Sequence, residues 1–238
     1  MEKDNNLIDT KPNEQDINEI LKWLKSYGDG FYNNKSVIEK AFVDGECIVL
    51  KKGKQNIGLV IWTDNKDEKQ VKIDIFVIHP DYRRQGLGRF FYNEISNYFR
   101  IKGFKTVKLF CEPKKSKLFW EKMGFIRLPD CGRTENELTY YTILVDIAPM
   151  ERENMIDKVE LWNVEPHEIQ RKRPKWTWYV KNKDGVLDKP IIHPCDCNWN
   201  LRWSKNGQVV REGKVKYFTN EDHELYSYPF LYIDELKD

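Results

Sequence analysis

A basic turn with two glycines is the segment of this sequence whose residues could do chemistry. Residues 83–89 read RRQGLGR and separate an apolar, β-branched run from a segment with helical periodicity. Such a turn points successive backbone N–H groups into one concavity, and the helix start adds partial positive charge there. Gly86 and Gly88 have no Cβ to hold a ligand off the backbone, while three arginines place cations around the rim. The combination favours a diphosphate as the ligand.

The same residues also fit a simpler hypothesis, in which the glycines only shape a turn and the arginines are solvated. Spacing excludes two better-known phosphate motifs. The turn lacks the Gly-Lys-Ser/Thr of a P-loop, and it lacks the third glycine of the dinucleotide-binding pattern Gly-x-Gly-x-x-Gly. The choice between a diphosphate site and a plain turn therefore depends on the elements around it.

The elements predicted around the turn alternate between strand and helix. Residues 71–78 predict a strand, the apolar spacing from Leu87 to Phe99 predicts a long helix, and residues 106–111 predict another strand. A second motif, KLFWEKMGF at residues 117–125, predicts a short amphipathic helix that ends at its glycine and is followed by a strand. This interleaving indicates an α/β domain.

The order of strand, basic glycine turn, long helix, strand, short helix and Gly-Phe strand is similar to that of the GNAT N-acetyltransferase superfamily. The resemblance extends over about residues 15–146, and residues 83–88 and 119–125 carry it. It implies an α/β domain with the GNAT acyltransferase fold, in which helices flank a mixed central sheet. It also implies acetyl-CoA as cosubstrate and direct transfer of the acetyl group to a primary amine.

The resemblance also implies where the cosubstrate would lie. Its diphosphate occupies the basic turn, and its pantetheine arm lies between the strand that ends at Ile78 and the strand at 106–111. A backbone N–H near Ile78 would stabilise the oxyanion when an amine attacks the thioester. The implied binding residues are Phe76, Val77, Ile78, Arg83, Arg84, Gln85, Gly86, Leu87, Gly88, Arg89, Phe119 and Trp120.

Trp120 stands where the family often has a tyrosine that protonates the leaving thiolate. An indole N–H is too weak an acid for that role, so we expect Trp120 to pack against the pantetheine or the acceptor. A thiolate with an ordinary pKa of about 8.5 is a tolerable leaving group without a dedicated acid. The family's frequent asparagine at the start of the same helix is also replaced, by Pro113.

Asp74 is the predicted general base. Alternation along its strand predicts that Lys72, Asp74, Phe76 and Ile78 share one face. Family members often carry a base on this face of this strand, which supports the assignment. A second interpretation, an ion pair between Asp74 and Lys72 with no catalytic role, stays open. Glu46 and Glu112 are the reserve candidates.

Two domains are predicted: residues 1–148, the acetyltransferase domain implied by the resemblance, and residues 151–238, whose role is unknown. The second part contains five of the eight tryptophans and little helical periodicity. An Asp-Gly pair at 184–185 and an Asn-Gly pair at 206–207 are hairpin signals between apolar runs. This part is therefore predicted to be a small β-rich accessory domain.

Three side chains in the second domain, His193, Cys195 and Cys197, are of types that bind zinc. A closed zinc site needs a fourth ligand, and the same residues also fit a β-turn with two ordinary thiols. The prediction is that no metal is bound. Basic residues 171–175 next to Trp176 could contact RNA through charge and stacking, but the acidic remainder of the domain favours a solvated loop.

The composition argues against several classes of protein. The 238 residues include 40 basic and 38 acidic side chains, and this net charge of +2 argues against nucleic acid as a partner. No apolar run is long enough to span a membrane, and the polar first residues do not resemble a signal peptide. Five scattered cysteines are typical of a reduced protein, so the expected location is cytoplasmic.

Two functions from different classes stay open at this point. The first is an acetyl-CoA-dependent N-acetyltransferase that acts on an amine of a small molecule or a protein, as a monomer or a homodimer. The second is a non-catalytic module that binds acyl-CoA, with a C-terminal domain that binds protein or RNA. Turnover of acetyl-CoA in the presence of amines distinguishes the two.

Overall fold

The computed structural model describes residues 6–28, 30–65, 69–131, 137–150, 156–220 and 223–236. The chain divides into two compact units. The first comprises Met1–Arg127 with Glu137–Leu144, and the second comprises Leu128–Asn136 with Val145–Asp238. The assignment of residues 1–148 and 151–238 to separate domains stays a prediction.

The first unit is built on a seven-stranded sheet with the strand order β1-β2-β3-β4-β5-β7-β6. Strands β4 and β5 run parallel, and every other neighbouring pair in this sheet is antiparallel. The strands are β1 Asn6–Asp9, β2 Cys47–Lys52, β3 Gln55–Asn65, β4 Gln70–Ile78, β5 Thr106–Phe110, β6 Ile126–Arg127 and β7 Thr139–Ile143.

Helices cover both faces of this sheet. Apolar residues of α3 pack with those of β3 and β4 in one core cluster, and those of α1 and α2 pack against the other side of the same strands in a second cluster. The helices are α1 Glu14–Ser26, α2 Lys35–Asp44, α3 Leu87–Ile101 and α4 Lys117–Lys122. The prediction of a mixed sheet flanked by helices is confirmed.

The second unit is strand-rich, as predicted. Its two four-stranded sheets have the orders β10-β11-β17-β16 and β13-β12-β8-β9, and a short pair, β14-β15, is added. The strands are β8 Lys158–Trp162, β9 Trp176–Tyr179, β10 Asn182–Lys183, β11 Val186–Pro194, β12 Asn200–Lys205, β13 Gln208–Lys214, β14 Thr219–Asn220, β15 His223–Glu224, β16 Tyr226–Ser227 and β17 Phe230–Glu235.

Both predicted hairpin turns of the second unit are present. Asp184 and Gly185 join β10 to β11 with φ of 55° and 88°, and Asn206 and Gly207 join β12 to β13 with φ of 52° and 78°. Two successive residues with positive φ match the right-handed twist of the strands, which is why Asp-Gly and Asn-Gly occur there. In the parts of the chain that the structure describes, no helix has the length and apolar character needed to cross a bilayer.

Candidate active site

A cavity of about 610 Å³ lies in the first unit between the β4–α3 loop and α4. Three parts of the chain contribute most of its lining: the β4–α3 loop, the end of β4, and the segment around α4. The cavity is lined by Phe31, Phe76, Val77, Ile78, Arg83, Arg84, Gly86, Gly88, Arg89, Pro113, Lys115, Ser116, Phe119, Trp120, Lys122 and Met123.

The β4–α3 loop presents backbone donors at a helix start. Gly86 is the N-cap of α3 and has φ of 80°, and Arg84 has φ of 63°. No side chain caps α3, so the first N–H groups of the helix have neither an intrahelical partner nor a cap partner. An L-residue at position 86 would be strained at this φ, even though a Cβ there would meet no neighbour within 4 Å. The loop therefore has the geometry of an anion site.

Gly88 allows the two walls of the cavity to approach each other. A Cβ at this position would lie 3.3 Å from the ring of Phe119, which is tighter than most such contacts. The Phe119 ring also stacks on Phe76 with centroids 5.8 Å apart, and Trp120 contacts the same Phe76 edge-on at 5.1 Å. The result is an aromatic wall that faces a basic loop.

The pairing of β4 with β5 ends before β4 does. The two strands pair from Gln70 opposite Thr106 to Ile73 opposite Leu109, while β4 continues to Ile78. Because the ladder stops there, the last residues of β4 leave a gap on the β5 side. The resemblance implied that a pantetheine arm would lie in this gap.

The main chain at the end of β4 turns polar groups toward the gap. The N–H of His79 donates to the carbonyl oxygen of Ile57 on β3 at 2.8 Å. Because main-chain groups alternate along an antiparallel strand, the N–H and C=O of the preceding residue, Ile78, point away from β3 and toward the gap. By the same alternation, the N–H and C=O of Phe76 also face the gap. The carbonyl oxygen of Ile78 accepts a hydrogen bond from Arg83 Nε at 2.8 Å. This bond ties the loop to the end of the strand.

The loop is also attached to α1. The ring of His79 lies edge-on to the rings of Trp23, Tyr27 and Tyr82, with centroids 5.0, 5.1 and 5.5 Å away. The hydroxyl of Tyr27 donates to Asp81 Oδ2 at 2.7 Å. The start of the loop is therefore held by aromatic packing and by a hydrogen bond to the end of α1.

Ten of the twelve predicted binding residues line the cavity. Gln85 and Leu87 do not line it, because the Gln85 amide donates to the carbonyl oxygen of Asp81 at 3.0 Å and Leu87 is buried in the core beneath α3. Sequence reasoning missed the lining residues Phe31, Pro113, Lys115, Ser116, Lys122 and Met123. For those on the α4 segment, helical spacing from Phe119 was an available signal. Phe31 has no such signal, since only the tertiary fold brings it to the cavity.

Asp74 lies in a β-bulge of β4. The prediction that its side chain shares a face of the strand with Phe76 and Ile78 is therefore wrong. Two successive residues of β3 pair with Ile73 and Ile75, so Asp74 between them has no partner on that strand. The bulge changes the alternation of faces. Ile73 belongs to the core on the α3 side together with Phe76, whereas Ile75 belongs to the core on the α1 and α2 side. Asp74 therefore does not share a face with Phe76 and Ile78.

The carboxylate of Asp74 accepts two hydrogen bonds. Thr63 Oγ1 donates to Oδ2 at 2.5 Å, and Lys72 Nζ donates to Oδ1 at 2.6 Å. The ion pair with Lys72, which the sequence left open as an alternative, is thus present. Asp74 does not line the main cavity, but it directly follows Ile73, the last residue of β4 that pairs with β5.

The two reserve carboxyls lie away from the main cavity. Burial raises the pKa of Glu46, and the neighbouring carboxylates of Asp64 and Asp44 raise it further. Glu46 lines a separate cavity of about 340 Å³, together with these two residues. Glu112 is exposed just beyond β5 and does not line either cavity.

Cys111 has the properties of a core residue. Its side chain is fully buried, and burial raises the pKa of its thiol to about 11. A neutral buried thiol is a poor nucleophile. The environment of Cys111 therefore favours a reaction without a covalent enzyme intermediate.

Of the three residues whose types can bind zinc, His193 lies against aromatic rings, Cys195 is buried in the core of the second unit, and Cys197 is half-buried. The ring of His193 lies against those of Trp176 and Trp178, with centroids 4.6 and 5.3 Å away, and burial lowers its pKa to about 4. Burial also raises the pKa of the Cys195 thiol well above its usual value. Within the described residues, no group of three or more His, Cys, Asp and Glu side chains is arranged to hold a metal ion.

Comparison with known proteins shows which proteins the first unit is similar to. The family model for the acetyltransferase (GNAT) family matches residues 15–125. The uncharacterized N-acetyltransferase ycf52 of Gracilaria tenuistipitata var. liui is 32% identical over 97 residues, which are 40% of this chain and 52% of that protein. The ycf52 protein of Pyropia yezoensis is 39% identical over 54 residues, or 23% of this chain and 30% of that protein.

The match spans about half the length of the Gracilaria relative and less of the Pyropia relative. Among solved structures, a GNAT-family protein from Desulfovibrio desulfuricans has a TM-score of 0.50 at 14% identity, and the match covers 59% of this chain and all of that protein. This likeness shows the fold. The resemblance to GNAT N-acetyltransferases that the two sequence motifs indicated is confirmed.

Proposed function

We propose that the first unit, whose residues 15–125 match the GNAT acetyltransferase family, transfers an acetyl group from acetyl-CoA directly to a primary amine. Acetyl-CoA is the usual cosubstrate of this family. The main support is the cavity, in which a basic loop with free helix N–H groups faces an aromatic wall beside an open strand pair. These are the features that a diphosphate and a narrow pantetheine arm require.

In this proposal each part of the cosubstrate meets a matching part of the cavity. The diphosphate accepts hydrogen bonds from N–H groups at the start of α3, where Gly86 leaves the backbone accessible. The pantetheine amides pair with the open edge of β4 at Phe76 and Ile78, in the manner of an added strand. Phe119 and Trp120 supply apolar surface along the arm.

The reaction needs no covalent intermediate between the acetyl group and the enzyme. The neutral amine nitrogen attacks the thioester carbonyl carbon, a C–N bond forms, the C–S bond breaks with release of the CoA thiolate, and the nitrogen gives its extra proton to solvent. The N–H of Phe76 faces the gap on the side nearer to Asp74 and would stabilise the negative charge that develops on the carbonyl oxygen, which leaves the N–H of Ile78 to the pantetheine. The buried, neutral thiol of Cys111 is consistent with direct transfer.

Asp74 is the proposed acceptor of the proton that the substrate ammonium must lose. It lies where the gap between β4 and β5 begins, on the face opposite to Phe76. An amine that reaches the thioester from that face would pass its proton to Asp74 directly or through a water. Thr63 and Lys72 hold the carboxylate in place. Glu46, whose pKa is raised by burial, is the alternative base.

No general acid is assigned. Trp120 lines the cavity and is 5% exposed, and its indole N–H is not acidic enough to protonate a thiolate. CoA can leave as the thiolate and take its proton from solvent afterwards, because the pKa of a thiol is far lower than that of an alcohol and close to neutral pH. This route is slower than one with a positioned acid, so we expect a modest turnover.

The test is thiol release from acetyl-CoA with a panel of primary amines, which includes small polyamines, amino sugars and peptides. We expect amine-dependent release of CoA together with an N-acetylated product identified by mass spectrometry. A folded protein that binds acetyl-CoA but releases no thiol with any amine would instead support the non-catalytic binding module.

A further inference from the structure

The main cavity has more positive charge than a diphosphate requires. Among its described lining residues, five are cationic and none is a carboxylate. Three of the five, Arg83, Arg84 and Arg89, belong to the basic loop, where helix N–H groups already supply donors. The other two, Lys115 and Lys122, belong to the segment around α4. That second pair needs a separate explanation.

Lys115 and Lys122 lie on one face of the α4 segment. They are seven residues apart, which is close to two helical turns, and Phe119 between them lines the same cavity. Both lysines are exposed to solvent. The α4 segment therefore contributes two ammonium groups to the cavity that the basic loop also lines.

The same segment contains two further lysines that provide a contrast. Lys114 pairs with Glu137 at 3.4 Å, and Lys117 pairs with Glu121 at 3.6 Å. Neither of these lysines lines the cavity. For Lys115 and Lys122, the structure gives no carboxylate within 4 Å among the residues that it describes. The lysines that face the cavity are thus the pair whose charge is available to a ligand.

We infer that Lys115 and Lys122 bind the 3′-phosphate of CoA and thereby select CoA over 3′-dephospho-CoA. This inference rests on the proposed acetyl-CoA site. The 3′-phosphate is a monoester that carries about −1.5 to −2 charges at neutral pH, and it is separated from the diphosphate by the ribose. A lysine ammonium is a suitable point charge for such a group. With the diphosphate at the basic loop and the 3′-phosphate at the α4 segment, each of the two groups of cations has an anion to bind.

The test is calorimetric titration with CoA and with 3′-dephospho-CoA. We expect wild-type protein to bind CoA at least about tenfold more tightly, as charged hydrogen bonds to a phosphate require. The double variant Lys115→Ala/Lys122→Ala should lose most of this preference, while its affinity for 3′-dephospho-CoA stays within about twofold of wild type. Lys115→Arg/Lys122→Arg should keep the preference, because both charges remain.

The matched control is Lys114→Ala/Lys117→Ala, which removes two lysines from the same segment and should leave the preference intact. Equal weakening of both ligands by the first double variant would overturn the inference, because it would show a general electrostatic effect. A wild-type protein that binds both ligands equally well would also overturn it while leaving the proposed function standing. Binding of neither ligand by folded wild-type protein would contradict the proposed function itself.

Discussion

In the first unit, Phe119 and Trp120 form the wall of a cavity beside a strand pair that opens, whereas in the second unit Trp178 and Trp203 are 2% and 1% exposed inside a core. The difference lies in the strands. The β4–β5 ladder ends at Ile73 and leaves main-chain groups for a ligand, while β12 pairs along its length with both β8 and β13. Where a strand edge has no partner strand, the ladder hydrogen bonds are missing but the main-chain groups can bind a ligand. Where a strand is paired on both edges, its ladder hydrogen bonds contribute to the stability of the fold instead.

The comparison predicts that changes in the first unit affect binding and chemistry, and that changes in the second affect stability. The largest effect is expected for Gly86→Asp. The φ of 80° strains any L-residue there, and the new carboxylate would lie beside the diphosphate. We expect CoA affinity, measured by calorimetry, to fall by more than about 100-fold, the size of two lost charge-assisted hydrogen bonds.

Gly53→Asp is the matched control for this variant. Gly53 has φ of 60° in the exposed β2–β3 turn, so the substitution imposes similar strain away from the cavity. It should leave CoA affinity unchanged. Unaltered CoA binding by a folded Gly86→Asp protein would show that the basic loop does not hold the diphosphate.

The second prediction concerns Asp74→Asn, which keeps the size of the side chain and removes its basicity. We expect kcat to fall by about 10²–10⁴ at neutral pH, with little change in acetyl-CoA affinity. Steady-state kinetics over a range of pH measures this, and the acidic limb of the profile should disappear. Asp64→Asn, on the neighbouring strand, is the control. If the loss is tenfold or less and the acidic limb remains, the base is a different group, and Glu46→Gln is the next variant to measure.

The third prediction concerns the closed core of the second unit. Burial between Trp176 and Trp178 lowers the pKa of His193 to about 4, compared with about 6.5 in an unfolded chain. Between these two pH values the unfolded state binds more protons. Stability that is complete above about pH 6.5 is therefore lost as the pH falls toward 4. The expected loss in the free energy of unfolding is about 3 kcal/mol.

Denaturant titrations followed by tryptophan fluorescence at several pH values measure this loss. His193→Phe removes the titrating group and should flatten the dependence in this range. His167→Gln, on the exposed turn after β8, is the control and should leave it unchanged. A steep pH dependence that survives in His193→Phe would assign the effect to other groups.

The smallest effect is expected for Gly88→Ala. A Cβ at this position would lie 3.3 Å from the Phe119 ring, so the aromatic wall must move by a few tenths of an ångström. We expect CoA affinity to fall by about fivefold, which corresponds to about 1 kcal/mol and is the lower end of the usual cost of overpacking. The measurement is again calorimetry, with the melting temperature as a check on folding. Tighter binding of CoA by Gly88→Ala would contradict this prediction, because it would show that the aromatic wall does not contact CoA in the wild-type protein.

The sequence was informative wherever the signal is local. Gly86 and Gly88 identified the loop because a strand, a basic turn and a helix follow one another along the chain. The Asp-Gly and Asn-Gly hairpins of the second unit were predicted for the same reason, since two adjacent residues with positive φ determine the turn. In each case the residues that cause the conformation are neighbours in sequence.

Asp74 and Phe31 show where local reasoning ends. Strict alternation placed Asp74 on the face of Phe76, but the bulge opposite β3 depends on how two strands pair, which the sequence of one strand does not reveal. Phe31 lines the cavity although it follows α1, far from the loop in sequence. Its position depends on how α1 packs against the sheet.

The sequence by itself therefore determined the α/β character of the first unit, the basic loop with its glycines and the strand-rich character of the second unit, because these follow from local conformational preference and periodicity. Only the tertiary structure decided the face of Asp74, the end of the β4–β5 ladder at Ile73, and the fact that Lys115 and Lys122 line the same cavity as the basic loop. Those features depend on contacts between segments distant in the chain, and their free energies come from packing and strand pairing that no short stretch of sequence contains.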